Sequence, residues 1–305
     1  MLTKINGLIA APFTPMQIDG SLNLALIPKY AEMLIHNHVQ GAFVAGSTGE
    51  GVSMSYDEKT EVIKAWGSIS DSRLIKIAMV GGNSVAEMKQ LAQLAYQQKF
   101  DAIAILAPHY FILNKAEVLA QICIEVGKTV PNMGLYFYHI PVLTGISVSM
   151  IEFLEKINNQ LPNFLGIKYT HHDMMEFNRC LNFENGKYDI LWGWDEVFLG
   201  GMAMGARGGV GSTFNYAAPL YHQLIDSFHN GDLVQARKLQ EKSIEIVQLL
   251  GKYGGIATGK AFMRAIGLDC GHFRLPVQNM NELQYEAFLE DLARIDFYRF
   301  ASRFQ

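Results

Sequence analysis

Short runs of apolar residues recur along the chain and alternate with longer stretches in which apolar positions return every three or four residues. The runs are Gly7 to Phe13, Gly41 to Ala45, Leu74 to Val80, Ala102 to Leu106, Gly134 to Tyr138, Phe164 to Tyr169, Tyr188 to Trp192 and Gly208 to Gly211. They are continuous rather than alternating, the pattern of strands buried on both faces of a parallel sheet. Between them lie helix-like segments. Leu24 to His38 carries Leu26, Ile27, Tyr30, Met33 and Leu34 at helical spacing, and Ser84 to Gln98 carries Met88, Leu91, Ala92 and Ala95. Eight such β-then-α units predict an α/β fold, a (β/α)8 TIM barrel in preference to an open doubly wound sheet.

After the eighth run the pattern changes. Leu220 to His229, Leu233 to Leu250, Ala257 to Ile266 and Asn281 to Ile295 all read as helices with no strand between them. The expected organisation is a barrel core through the eighth strand over residues 1–219, followed at 220–305 by helices that complete the barrel and form a C-terminal helical extension. No Pro/Ser-rich linker or low-complexity tract separates the two, so the extension is expected to pack on the barrel, with its long helices available for a subunit interface.

Composition narrows the picture. Half of the 305 residues are hydrophobic and 18% are charged, enough apolar material for a large core and too much for a disordered chain. Lys and Arg number 25 against 29 Asp and Glu, a net charge of −4 with no basic run, so a nucleic-acid partner is not expected. Cys123, Cys180 and Cys270 are far apart and form no C-x-x-C pair, which argues against a disulfide framework or thiolate metal site and for a reducing, cytoplasmic setting. The segment Met1 to Pro15 breaks its apolar run at Pro12, so no signal peptide is read there, and no uninterrupted apolar stretch is long enough for a membrane span.

In a TIM barrel the reactive groups gather on the loops that follow the strands. Those loops hold Gly46-Ser47-Thr48-Gly49-Glu50-Gly51, Tyr138-His139-Ile140-Pro141, Lys168-Tyr169-Thr170, Gly193-Trp194-Asp195-Glu196 and Gly211-Ser212-Thr213. Lys168 ends the run Phe164-Leu165-Gly166-Ile167, where a strand delivers it into the barrel mouth. A lysine withdrawn from water there can attack a carbonyl and form a Schiff base; the alternative is a buried lysine paired with a carboxylate. Lys59, Lys64, Lys89 and Lys238 fall on polar helix faces, where a solvated charge is expected, and Lys76 lies near the start of its strand, at the opposite, structural end. Tyr138 closes its own run, and its phenol is either a proton shuttle or strand-end packing.

The glycine-rich loop at 46–51 is neither a dinucleotide fingerprint nor a phosphate-binding Walker loop, because Val52 stands where a lysine would be required. Its backbone N–H groups and the Ser47 and Thr48 hydroxyls, ahead of a helix starting near Ser55, suit a small carboxylate; an ordinary tight turn with an N-cap is the other reading. Asp195 and Glu196 can accept hydrogen bonds from polyol hydroxyls or simply open a helix. His171, His172 and Asp173 do not make a metal site if the adjacent histidines diverge on a helix, which leaves exposed or capping roles.

Together these segments, with Ala11-Pro12-Phe13-Thr14-Pro15 and Tyr136-Phe137-Tyr138-His139-Ile140-Pro141, resemble the pyruvate-dependent class I aldolases of the dihydrodipicolinate synthase and N-acetylneuraminate lyase family, over nearly the whole chain. The Lys-Tyr-Thr and Gly-Trp-Asp-Glu segments and Ser47 look like its sialic-acid-cleaving branch. The resemblance implies that Lys168 forms a Schiff base with the substrate ketone, Tyr138 moves the proton of the C4 hydroxyl, and Ser47 and Thr48 hold the substrate carboxylate. Thr170, Gly193, Asp195, Glu196, Gly211 and Ser212 would bind the sugar-derived hydroxyls. Tyr110 would lean into a neighbouring subunit's site, although Pro108-His109-Tyr110-Phe111 departs from the usual pattern around it, and Arg207 stands where a small or acidic residue is commoner. It implies cleavage of N-acetylneuraminate to N-acetylmannosamine and pyruvate in a cytoplasmic homotetramer, with no metal, no organic cofactor and no membrane or nucleic-acid partner. A dihydrodipicolinate synthase-like or 2-keto-3-deoxy sugar acid aldolase activity is the alternative, and a non-catalytic sugar-acid sensor a more distant one.

Overall fold

The computed structural model describes residues 4–304; Met1–Thr3 of the amino-terminal segment read above lie outside them. The strands are β1 (Gly7–Ala10), β2 (Gly41–Val44), β3 (Ile75–Met79), β4 (Ala102–Leu106), β5 (Gly134–His139), β6 (Phe164–Tyr169), β7 (Asp189–Trp192) and β8 (Gly208–Gly211). They pair in chain order, all parallel, and β8 returns to β1, so the sheet is a closed barrel and not an open one. β1 stops short of the expected Phe13 because Pro12 has no N–H to give to a ladder.

Between the strands run α1 (Ile27–His36), α2 (Tyr56–Gly67), α3 (Val85–Gln97), α4 (Ala116–Gly127), α5 (Pro141–Thr144), α6 (Met150–Ile157), α7 (Met174–Asn182) and α8 (Phe198–Ala203). After β8 come α9 (Ala218–His229), α10 (Leu233–Lys252), α11 (Thr258–Ala265) and α12 (Glu282–Arg294), the helical extension expected from the sequence. Several helix starts are set by a side chain that accepts from an otherwise unpaired N–H: Ser55 for α2, Ser84 for α3, Asp173 for α7 and Asn281 for α12, with full capping boxes at Ser55 and Asn281. Asp173 therefore caps, as one of its expected roles required.

Strand alternation sorts side chains into two cores. Phe43, Ile77, Ala104, Tyr136, Tyr138, Leu191 and Val210 fill the barrel interior. Phe137, Ile167, Tyr169 and Trp192 point outward and pack under the helices, in one cluster that continues through Phe262, Phe288 and Phe297 of the extension. Barrel and extension thus share a core. One irregularity matters: the register shifts between Leu135 and Tyr136, so Leu135 pairs with Phe164 but Tyr136 with Gly166. The extra residue, Leu165, puts Lys168 beside Tyr138 on the inner face, where an unbroken ladder would have set them out of phase.

Candidate active site

Lys168 is 4% exposed, and its Nζ stands 3.9 Å from the ring centre of Tyr138 and 4.2 Å from that of Phe43. It makes no ion pair or hydrogen bond among the described residues, which removes the reading of a lysine paired with a carboxylate. A buried amine held only between two aromatic faces is costly to keep for structure alone. The Phe43 and Tyr138 rings meet edge to face at 5.5 Å, so Phe43, inward-facing in β2, fixes both catalytic candidates. Phe43 was visible only as one apolar residue among many in its run.

Above Phe43 the chain turns through Gly46 to Gly51. Gly51 N–H donates to Gly46 O at 3.1 Å, Glu50 N–H donates to Ser47 O at 3.1 Å, and Thr14 Oγ1 donates to Gly49 O at 2.6 Å. A Cβ at Gly51 would overlap the Ala45 carbonyl, so the turn closes only with glycine there. Among the described residues the N–H groups and hydroxyls of Ser47 and Thr48 have no protein partner, so an anion could take them up.

On the far side, Thr170 and Gly193 lie against one another: a Cβ at Gly193 would overlap Thr170 Oγ1, which is buried with no hydrogen-bond partner among the described residues. Trp194 Nε1 is likewise buried without a partner among the described residues. Gly211 makes similar room, since a Cβ there would come within 2.8 Å of the Asp195 carboxylate. Asp195 is buried and held rather than free. Its Oδ2 accepts from Thr213 N–H at 2.8 Å and from Thr213 Oγ1 at 2.7 Å. Because the Thr213 proton is spent on the carboxylate, Tyr221 must donate to Thr213 across 2.7 Å, and Ser243 lies 2.8 Å beyond. Only Oδ2 is consumed in this way.

Glu196 follows on the same turn, half-buried, and burial together with the Asp195 charge pushes its carboxyl up to about 7. Gln240 of α10 fixes the turn, donating to Glu196 O at 2.8 Å and accepting from Leu199 N–H at 2.7 Å. Ser212 is half-buried beside them. Thr213 was read only as part of the loop after β8, and Tyr221, Gln240 and Ser243 not at all, since nothing in their spacing reveals contacts made 8 to 48 residues away.

Tyr110 does not join this cluster within one chain. It is 77% exposed on the loop after β4, anchored by its N–H to Asn83 Oδ1 at 2.9 Å and packed against Phe111. Two expectations need correction. Lys59 is not a solvated helix charge: it is 9% exposed, because α3 covers that face of α2, and burial lowers its pKa. His171 and His172 do not diverge, because they occupy a bend before α7 and not a helix; their rings lie 4.4 Å apart, with the His139 ring 5.5 Å from His171. His139 is buried, its Nε2 has no partner among the described residues, and burial pushes it down to about 3, so the ring is neutral. Among the described residues, no group of three or more His, Cys, Asp or Glu is arranged to hold a metal ion.

Comparison with known proteins agrees across the chain. The model of the dihydrodipicolinate synthetase family matches residues 4–295. N-acetylneuraminate lyase of Gallus gallus is 35% identical over 92% of this chain and 92% of its own, and that of Mus musculus 34% identical over 92% and 89%. Among solved structures, Proteus mirabilis N-acetylneuraminate lyase superposes with a TM-score of 0.94 at 38% identity, covering 97% of this chain and all of its own.

Proposed function

The chain belongs to the dihydrodipicolinate synthetase family, and from that premise we propose that it is a class I, Schiff-base aldolase cleaving N-acetylneuraminate to N-acetylmannosamine and pyruvate. The observation that carries the reading is Lys168, a buried amine with no polar partner among the described residues, set beside the Tyr138 ring at the barrel mouth. Its Nζ attacks the C2 ketone of the open-chain sugar acid and water leaves, giving the iminium. The C3–C4 bonding pair then flows into that iminium while the C4 hydroxyl loses its proton and becomes the aldehyde of N-acetylmannosamine. Tyr138 takes the hydroxyl proton and returns one to C3 of the enamine, after which hydrolysis frees pyruvate and the amine.

Ser47 and Thr48 bind the substrate carboxylate with their hydroxyls and N–H groups. Thr170, the free Oδ1 of Asp195, Glu196, Ser212 and the backbone at Gly193 and Gly211 take the sugar hydroxyls. The reaction needs no cofactor beyond Lys168 itself. Residues 1–219 supply the groups that touch substrate, and 220–305 support them.

We infer further that the working assembly is a homotetramer in the cytoplasm. Tyr110, Phe111 and Ile112 on the loop after β4 and Val142 and Leu143 on α5 form exposed apolar surface, with Ile112 against Gly145, and a second copy seated there would bring Tyr110 towards its site. No helix among the described residues is long and apolar enough to cross a membrane.

Borohydride reduction in the presence of pyruvate tests the chemistry: a covalent adduct on Lys168 is expected, and its absence would sink the proposal. Turnover of N-acetylneuraminate, with none of aspartate semialdehyde plus pyruvate, tests the substrate.

A further inference from the structure

The loop that offers Ser47 and Thr48 is also the point where the helical extension grips the barrel. Glu50 sits in that loop with a left-handed backbone, φ +59°, which is uncommon for a residue with a side chain. Its carboxylate is buried and fully used. Oε1 accepts from Lys260 Nζ of α11 at 2.8 Å, and Oε2 accepts from the Arg274 N–H at 2.9 Å. Lys260 is itself 2% exposed; it donates also to His272 O at 2.8 Å and stands 4.7 Å over the Phe273 ring.

Residues around the pair are shaped to admit it. A Cβ at Gly259 would overlap the Phe13 ring, so glycine lets α11 come down onto the segment after β1 and bring Lys260 to the loop. The Arg274 guanidinium continues the tie, reaching Glu58 of the α2 capping box at 2.6 Å and 2.9 Å and Gly20 O at 2.6 Å.

A buried ion pair is a poor device for stability, because desolvating two charges offsets most of their attraction, and well-packed apolar residues often do as well. What such a pair supplies is a fixed geometry. We propose that Glu50 and Lys260 are positioning residues whose buried pair, formed between the loop and the helical extension, holds the Ser47 and Thr48 hydroxyls where a substrate carboxylate must sit. This rests on the reading of Ser47 and Thr48 as the carboxylate cradle. Neither residue of the pair touches substrate.

Glutamine at position 50 cannot reproduce the pair, because one of its two terminal atoms is a donor while both Lys260 and the Arg274 N–H need acceptors. Pyruvate is therefore titrated in the borohydride trapping reaction on the wild type, on Glu50→Gln, on Lys260→Met and on the double variant. Each single variant is expected to raise the pyruvate concentration giving half-maximal adduct about tenfold, with the KM for N-acetylmannosamine in the condensation direction held within about twofold.

The double variant removes both charges, so it guards against a single variant that does not fold. It is expected to be folded and still weak for pyruvate. Unchanged pyruvate dependence alongside a lowered thermal midpoint, or recovery of wild-type pyruvate dependence in the double variant, would overturn the proposal and leave the pair a purely structural one. Failure of the wild type to trap pyruvate at all would overturn both this inference and the aldolase reading, whereas normal trapping in every variant would overturn this inference alone.

Discussion

The two ends of the barrel bury the same kinds of charged side chain and treat them differently. At the end where the strands begin, Lys76 of β3 donates to Ile69 O at 2.7 Å, and Asp189 of β7 accepts from Ile5 N–H at 3.1 Å and from Tyr136 OH at 2.8 Å. At the end where the strands finish, Lys168 meets only aromatic faces among the described residues, and of the Asp195 oxygens only Oδ2 has a partner among them. The first end is satisfied internally, whereas the second, although it closes Glu50 on Lys260, leaves the Lys168 amine and one oxygen of Asp195 open among the described residues. An unmade hydrogen bond on a buried group costs about 1–3 kcal/mol, so leaving several open is affordable only where binding closes them.

Replacing the lysines should test this contrast most visibly. Lys168→Met is expected to lower turnover by about three orders of magnitude or more and to abolish the borohydride adduct, while holding or raising the thermal midpoint, since an unpaired buried amine is exchanged for an apolar chain. Lys76→Met should do the reverse: a lower thermal midpoint, from the lost bond to Ile69 O worth about 1–3 kcal/mol, with kcat/KM unchanged. Equal loss of stability in both variants, measured by thermal unfolding, would mean that the two ends do not differ as described.

Tyr138→Phe comes next in size. It keeps the ring that faces Lys168 and removes only the hydroxyl, so the pyruvate adduct should still form while kcat falls by about 10²- to 10⁴-fold, the usual worth of a positioned proton carrier. Loss of the adduct as well would make Tyr138 part of the support for Lys168 and not a proton carrier.

The strands were readable because a parallel sheet buried on both faces demands continuous apolar runs, and a lysine ending such a run has one place to go. The places of Lys168 and Tyr138 at their strand ends were therefore legible, while their roles stayed open between chemistry and structure until the family resemblance was added. Their meeting on one face was not, because it depends on the extra residue at Leu165, which no periodicity marks. Nor could Thr213, Tyr221 and Ser243 behind Asp195, or Lys260 behind Glu50, be seen, since those contacts join residues up to 210 positions apart. Lys59 misled for a related reason: its helix reads polar on that face, but the neighbouring helix covers it.

The relay behind Asp195 offers a smaller test at the mouth. Thr213→Val keeps the shape and removes the hydroxyl, leaving the carboxylate with one donor fewer and Tyr221 OH without its acceptor. The KM for N-acetylneuraminate should rise about tenfold, as expected for an interaction worth roughly 1.4 kcal/mol, while pyruvate trapping on Lys168 is unaffected. A matching loss in pyruvate trapping would show that the sugar side and the carboxylate side of the mouth are not independent.

Glu196 gives the smallest and most graded effect. Burial and the neighbouring Asp195 hold its folded carboxyl at about 7, above the ordinary 4.5, so the folded chain keeps a proton that the unfolded chain has already released. Its contribution to stability is therefore fully present below about 4.5 and is lost as pH rises towards 7. Below 7 the neutral acid can donate to a sugar oxygen; above it, a second negative charge stands beside Asp195 and can only accept. The KM for N-acetylneuraminate should accordingly climb a few-fold, roughly threefold, from pH 6 to 8, and Glu196→Gln, fixed in the neutral donor form, should flatten that climb and the stability slope together. If Glu196→Gln leaves both slopes as they are in the wild type, the proton resides elsewhere, and the mouth holds one fewer group that a substrate must complete.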